Sequence, residues 1–178
     1  MITPFLIIGI RILIPFAIPR WPFWGMLLAV AADASDVMIF DKFGWGILGG
    51  RDIYHEFDKV LDIYYLAFAA YAALRWQDVL LRRTAFALFA WRLAGVIIFE
   101  ITHARQIFFF APNIFENFYL IVSGFNQFFP AVRINNLGRF GLILLIAAIP
   151  KIIQEYIMHY LEFPIWAFLK NYFLFWLY

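Results

Sequence analysis

Cysteine is absent from the 178 residues, so no disulfide, thiolate metal site or thiol nucleophile can be built, and any metal must sit on oxygen or histidine. Charge is scarce as well. Only 15% of residues are charged, and a formal charge of +2 with no basic run longer than Arg82-Arg83 argues against a nucleic-acid partner. The alternating pattern of a membrane barrel is missing, and no G-K-[ST] follows the glycines of residues 44–50. Neither Ser35 nor Thr102 has a base arranged beside it. Barrel, phosphate-loop and hydroxyl-nucleophile readings are therefore set aside. No internal repeat or low-complexity stretch divides the chain, and residues 1–178 read as one domain.

Apolar surface is plentiful instead. A 65% hydrophobic content and a mean hydropathy of +0.81 exceed the roughly 45–50% apolar share of soluble domains, which marks an integral membrane protein. Its continuous runs approach the roughly 20 residues that a helix needs to span the hydrocarbon layer. The expectation is an all-α polytopic membrane bundle of six transmembrane helices. The first, residues 2–18, carries Arg11 and lacks a small-residue cleavage site, so it reads as a retained helix rather than a signal peptide. Helix two covers 22–40, a glycine-bearing loop 41–55, helix three 56–76 and helix four the stretch up to His103. Residues 105–129, with Pro112, Asn113 and Glu116, predict a broken or partly interfacial fifth helix. Helix six covers 137–159, and residues 163–178 form a seventh, short or interfacial helix.

The candidate site lies where the second and third helices approach each other. Asp33 and Asp36 are three residues apart and Asp58 and Asp62 four apart, so each pair occupies one helical face. An ionisable group at membrane depth is costly unless it is paired or functional. Four repelling carboxylates call for an oxygen-seeking divalent cation such as Mg²⁺ or Mn²⁺. Such a site can clamp a pyrophosphate or phosphodiester while a remaining carboxylate acts as base toward an alcohol. The structural alternative is that these acids cap helix ends or pair with Lys42, Arg51 and Lys59.

With its first two acids on Asp33 and Asp36, this region resembles the CDP-alcohol phosphatidyltransferase family, whose signature is D-x2-D-G-x2-A-R-x8-G-x3-D-x3-D. In gapless register the later glycine falls on Gly50 and the last acid on Asp58, followed by Lys59 as in a common D-K ending. FLIIGIRILIP, with Arg11 and Pro15, is similar to the family's first helix. The resemblance covers the first 62 residues. It implies a metal-dependent phosphotransferase of phospholipid synthesis that releases CMP. Asp33, Asp36 and Asp62 would hold metal, Asp58 would be the base, and Gly50 and Lys59 would lie on the substrate side. Partners would be membrane lipids and a CDP-linked lipid or alcohol, in the cell (inner) membrane. At the signature's glycine, alanine, arginine and third acid the chain has Val37, Phe40, Asp41 and Tyr54. These replacements ground the alternative, a non-catalytic integral subunit of a larger membrane complex, whereas an enzyme of this type would stand alone or as a small homo-oligomer.

A second polar set is Arg92, Glu100, His103, Glu116, Glu155 and His159. Glu100 and His103 have the Glu-x-x-His spacing of di-metal bundles, and the set could form a second metal or proton-relay site; ordinary helix-end contacts are the alternative. Arg92 should pair with a carboxylate inside the bundle. The arginine distribution places the Asp face outside by the positive-inside rule, whereas the resemblance implies the cytoplasm, and the resemblance is followed.

Overall fold

Among the described residues the regular secondary structure is entirely helical. The computed structural model describes residues 3–43, 51–130, 134, 136–161, 163, 168 and 172, with the side chains of 3–4, 37–38, 41–43 and 51–57 outside that set. In order the elements are α1 (Thr3–Leu13) with a 3-10 turn (Ile14–Ala17), α2 (Pro22–Phe43), α3 (Arg51–Ala73), α4 (Val79–Thr102), α5 (Ile107–Phe110), α6 (Ile114–Phe128) and α7 (Leu137–Glu155), which ends in a π turn (Tyr156–Tyr160). Three segments among the described residues are long and apolar enough to cross a membrane: Val79–Thr102, Ile107–Phe128 and Leu137–Tyr160.

Packing places α6 at the centre. The α5–α6 segment is 56% buried, against 17% for α4 and 22% for α7, and α6 touches α2, α3, α4 and α7. Its Phe115, Phe118, Tyr119 and Val122 fill the core against Ala69, Ala70, Ala72 and Ala73 of α3. Small residues on one helix admit the aromatic side chains of the other, the way helices gain contact where lipid is as apolar as leucine. The faces of α4 and α7 turned away from α6 expose Ile97, Ile98, Leu142, Leu145 and Ile149, as a lipid solvent permits.

Several boundaries differ from expectation. Pro15 removes a backbone donor, and the end of the first helix tightens into the 3-10 turn. Where a loop over 41–55 is expected, α2 continues through Phe43 and α3 begins at Arg51. Hydropathy marks where an apolar environment ends, not where a helix's hydrogen bonds end, so polar ends of α2 and α3 read as loop. Asp58 consequently lies inside α3 and does not cap its start. The predicted seventh helix lies outside the described residues apart from Phe163, Phe168 and Tyr172.

The reversal before α2 is tight. A Cβ on Gly25 would lie 2.6 Å from the Ile18 nitrogen and 2.7 Å from its Cα, and backbone cannot step aside as a flexible side chain can. Gly25→Ala is therefore expected to lower stability by about 1–3 kcal/mol, the usual cost of overpacking. Thermal denaturation in detergent checks this, and an unchanged midpoint would contradict so close an approach.

Candidate functional site

Among the described side chains, the four aspartates meet around Arg11. Arg11 of α1 donates to Asp33 and Asp36 of α2, to Asp58 of α3 at 2.5 Å, and to Asp62 of α3 at 3.0 Å. The convergence expected from the i,i+3 and i,i+4 spacings is present. Three helices are cross-linked at this point, by one planar guanidinium whose fork of donors suits several carboxylates at once.

Burial distinguishes the acids. Asp36 keeps 1% of its side-chain surface, while Asp33, Asp58 and Asp62 keep 29%, 29% and 24%. The cage is thus closed behind Asp36 and open on the side of the other three. One oxygen from each of these three lies within 4.8 Å of the others. That spacing and a hard-oxygen donor set fit a divalent cation.

The sequence reading did not place Arg11 in the site. Its signal was a lone charge in the apolar first helix, which a long side chain can also resolve by reaching the membrane surface. Lys59 turns elsewhere: its Nζ lies 2.9 Å from Glu100 and 4.3 Å from the Phe99 ring centroid. Gly50 lies outside the described residues, as do the side chains of Tyr54 and of Lys42 and Arg51, the other two cations expected to pair with the acids.

The second polar set is only partly assembled. Arg92 Nη1 lies 3.3 Å from Glu155 Oε1, the carboxylate partner expected inside the bundle, and His159 Nε2 is 3.3 Å from Glu155 Oε2. Glu116 accepts from Tyr65 Oη at 2.7 Å, Asn113 Nδ2 at 2.9 Å and Lys151 Nζ at 3.0 Å. Lys151 and Tyr65 lie outside the predicted set, and Asn113 reads in the sequence only as part of the helix break. Glu100 and His103 stay apart from this network, because α4 ends at Thr102 and His103 turns into a left-handed cap with φ 54°, exposed to solvent. The Glu-x-x-His pair therefore does not share a helical face.

This network has a structural task. The chain breaks between α5 and α6 at Ala111-Pro112-Asn113, and broken backbone at membrane depth must be satisfied by protein. Arg92 Nη1 donates to Ala111 O at 3.1 Å, Trp91 Nε1 donates to Phe110 O at 3.1 Å, and the Asn113 N–H reaches Glu155 Oε1 at 3.4 Å. Each end of the break is thereby occupied. Gly95 lets α4 approach it, since a Cβ there would lie 2.3 Å from Ala111 Cβ. Gly95→Ala should loosen this crossing, seen as faster amide exchange around residues 111–114; protection equal to the native protein's would contradict it.

The two polar regions lie toward the same end of the bundle. Asp58, Asp62 and Tyr65 follow one another at four and three residues along one face of α3, and Tyr65 hands on to Glu116. No protein-family model, curated protein or solved structure matches this chain, so the site is read from its own geometry.

Proposed function

We propose that the chain is a six-span integral membrane protein, in the cell (inner) membrane, whose aspartate cage supports divalent-metal-dependent phosphotransfer of the CDP-alcohol type. One observation carries this reading: two acid pairs from separate helices present three oxygens within 4.8 Å on the open side of the cage. Mg²⁺ or Mn²⁺ held by Asp33 and Asp58 on that side, with Asp36 closing the cage behind them, would neutralise charge on a pyrophosphate. Asp58 and Asp62 both reach the cage and repeat the D-x3-D spacing of the signature's end, four residues beyond its gapless register, and this supports moving the base from Asp58 to Asp62. Asp62 would take the proton of the acceptor alcohol. Its oxygen then attacks phosphorus, the bond to CMP breaks, and a phosphodiester forms.

Arg11 supports a second reading. A guanidinium already bound to four carboxylates can brace three helices without any ligand. The chain would then be a non-catalytic subunit of a larger membrane complex, an assignment consistent with Val37, Phe40, Asp41 and Tyr54 at the signature's other positions.

Thermal titration in nanodiscs with Mg²⁺ or Mn²⁺, with and without CMP and a CDP-lipid, separates the two. A ligand at 100 times its dissociation constant stabilises the native state by about 2.7 kcal/mol. The transferase reading expects metal stabilisation enhanced by CMP, lost in Asp36→Asn, and CMP release that Asp62→Asn abolishes. Absence of any response to metal or nucleotide would favour the subunit, and co-purification from mild detergent would then identify its neighbours.

A further inference from the structure

At the end of the bundle away from the aspartates, the helix termini line a half-open cavity of about 250 Å³. Pro19 closes it from the first reversal, Arg75 and Trp76 from the α3–α4 turn, and Ser123, Asn126 and Gln127 from the last turns of α6. Below the roughly 300–1,000 Å³ of pockets that enclose drug-sized ligands, it suits a headgroup rather than a whole lipid. Its level, where helices end among tryptophan and arginine, is that of the membrane–water interface.

The lining sorts by chemistry. Arg75 is exposed and uses one donor on Pro19 O at 3.3 Å, while its guanidinium rests 5.5 Å from the Tyr71 ring centroid. The remaining donors of its fork and the exposed amides of Asn126 and Gln127 can meet a phosphate. Arg20 and Arg83 are exposed at the same end and add positive potential. Ser123 differs: its hydroxyl donates to Tyr119 O at 2.7 Å, so what it offers the cavity is an acceptor. A ligand matching both halves has a phosphodiester and, a few atoms away, a hydrogen-bond donor.

We infer that this cavity is a phospholipid-headgroup site, selective for phosphodiesters that carry a hydroxyl or ammonium donor, such as phosphatidylglycerol or phosphatidylethanolamine, over phosphatidylcholine. It is independent of the aspartate cage and of the activity proposed there. Basic pockets between transmembrane helices bind headgroups in this way, with each Arg near the surface contributing about fivefold in affinity.

The test is native mass spectrometry of the full chain in detergent, titrated with short-chain phosphatidylglycerol, phosphatidylethanolamine, phosphatidylcholine and, separately, inorganic phosphate. The first two lipids should bind about fivefold or more tightly than phosphatidylcholine. Arg75→Gln should weaken all three about fivefold. Ser123→Ala leaves the Arg75 bond intact and should erase only the preference over phosphatidylcholine. Equal affinity for the three lipids, a preference unchanged in Ser123→Ala, or inorganic phosphate binding as tightly as the lipids would each overturn the inference.

Discussion

Replacing Arg11 by Leu is expected to lower the thermal midpoint by about 10 °C in metal-free buffer, the consequence of removing one partner from a buried ionic cluster at about 3–5 kcal/mol. Arg11 binds Asp33, Asp36, Asp58 and Asp62, and it draws together like charges carried on two helices. Arg11→Lys should recover only part of the loss, because an ammonium is a point charge that cannot serve four carboxylates in one plane. Mg²⁺ gives the experiment a second axis. If the open side of the cage takes a divalent ion, millimolar Mg²⁺ should stabilise Arg11→Leu more than it stabilises the native chain, since both cations relieve the same repulsion. A variant as stable as the native chain in EDTA would show that the cluster is not held by Arg11. An unstable variant indifferent to Mg²⁺ would keep the brace and remove the metal site.

Arg11 also shows where sequence reading stops. The aspartate pairs were legible because helical period converts a spacing of three or four residues into a shared face, and two such faces on neighbouring helices have few ways not to meet. Their counter-ion was not legible, because Arg11 lies 22 residues or more from each acid along the chain and no local pattern joins them. The break at Pro112 was legible from composition. What fills it was not, because Arg92 and Glu155 come from α4 and α7 and reach it only through packing. Glu100 and His103 fail for the opposite reason. Their spacing predicts a common face only while the helix continues, and the left-handed turn at His103 ends it one residue too soon. The expectation of six spans exceeds the three long apolar segments of the described residues, because the apolar stretch Phe5–Ala17 is shorter than these and the aspartates of α2 and α3 lower the average that makes α4 and α7 plain.

The second large effect concerns Lys151. Its ammonium is buried against Glu116, and Glu116 also receives Tyr65 and Asn113, so the carboxylate joins α3, α6 and α7. Lys151→Met should cost about 3–5 kcal/mol, because Glu116 is left charged and short of its cation in the bundle interior. Glu116→Gln alone should cost a similar amount by stranding the ammonium. The double variant is the informative one. Gln can still accept from Tyr65 and Asn113 through its carbonyl, and methionine fills the lysine stem's volume, so charge is removed as a pair while shape and hydrogen bonds persist. Stability of the double variant should return to within about 1–2 kcal/mol of native, far less than the sum of the two single losses, which is a strong coupling in the cycle. Denaturation of all four proteins in the same detergent measures it. Additive losses would mean that Lys151 and Glu116 do not act on each other, and that Glu116 answers chiefly to Tyr65 on the helix that carries the aspartate cage.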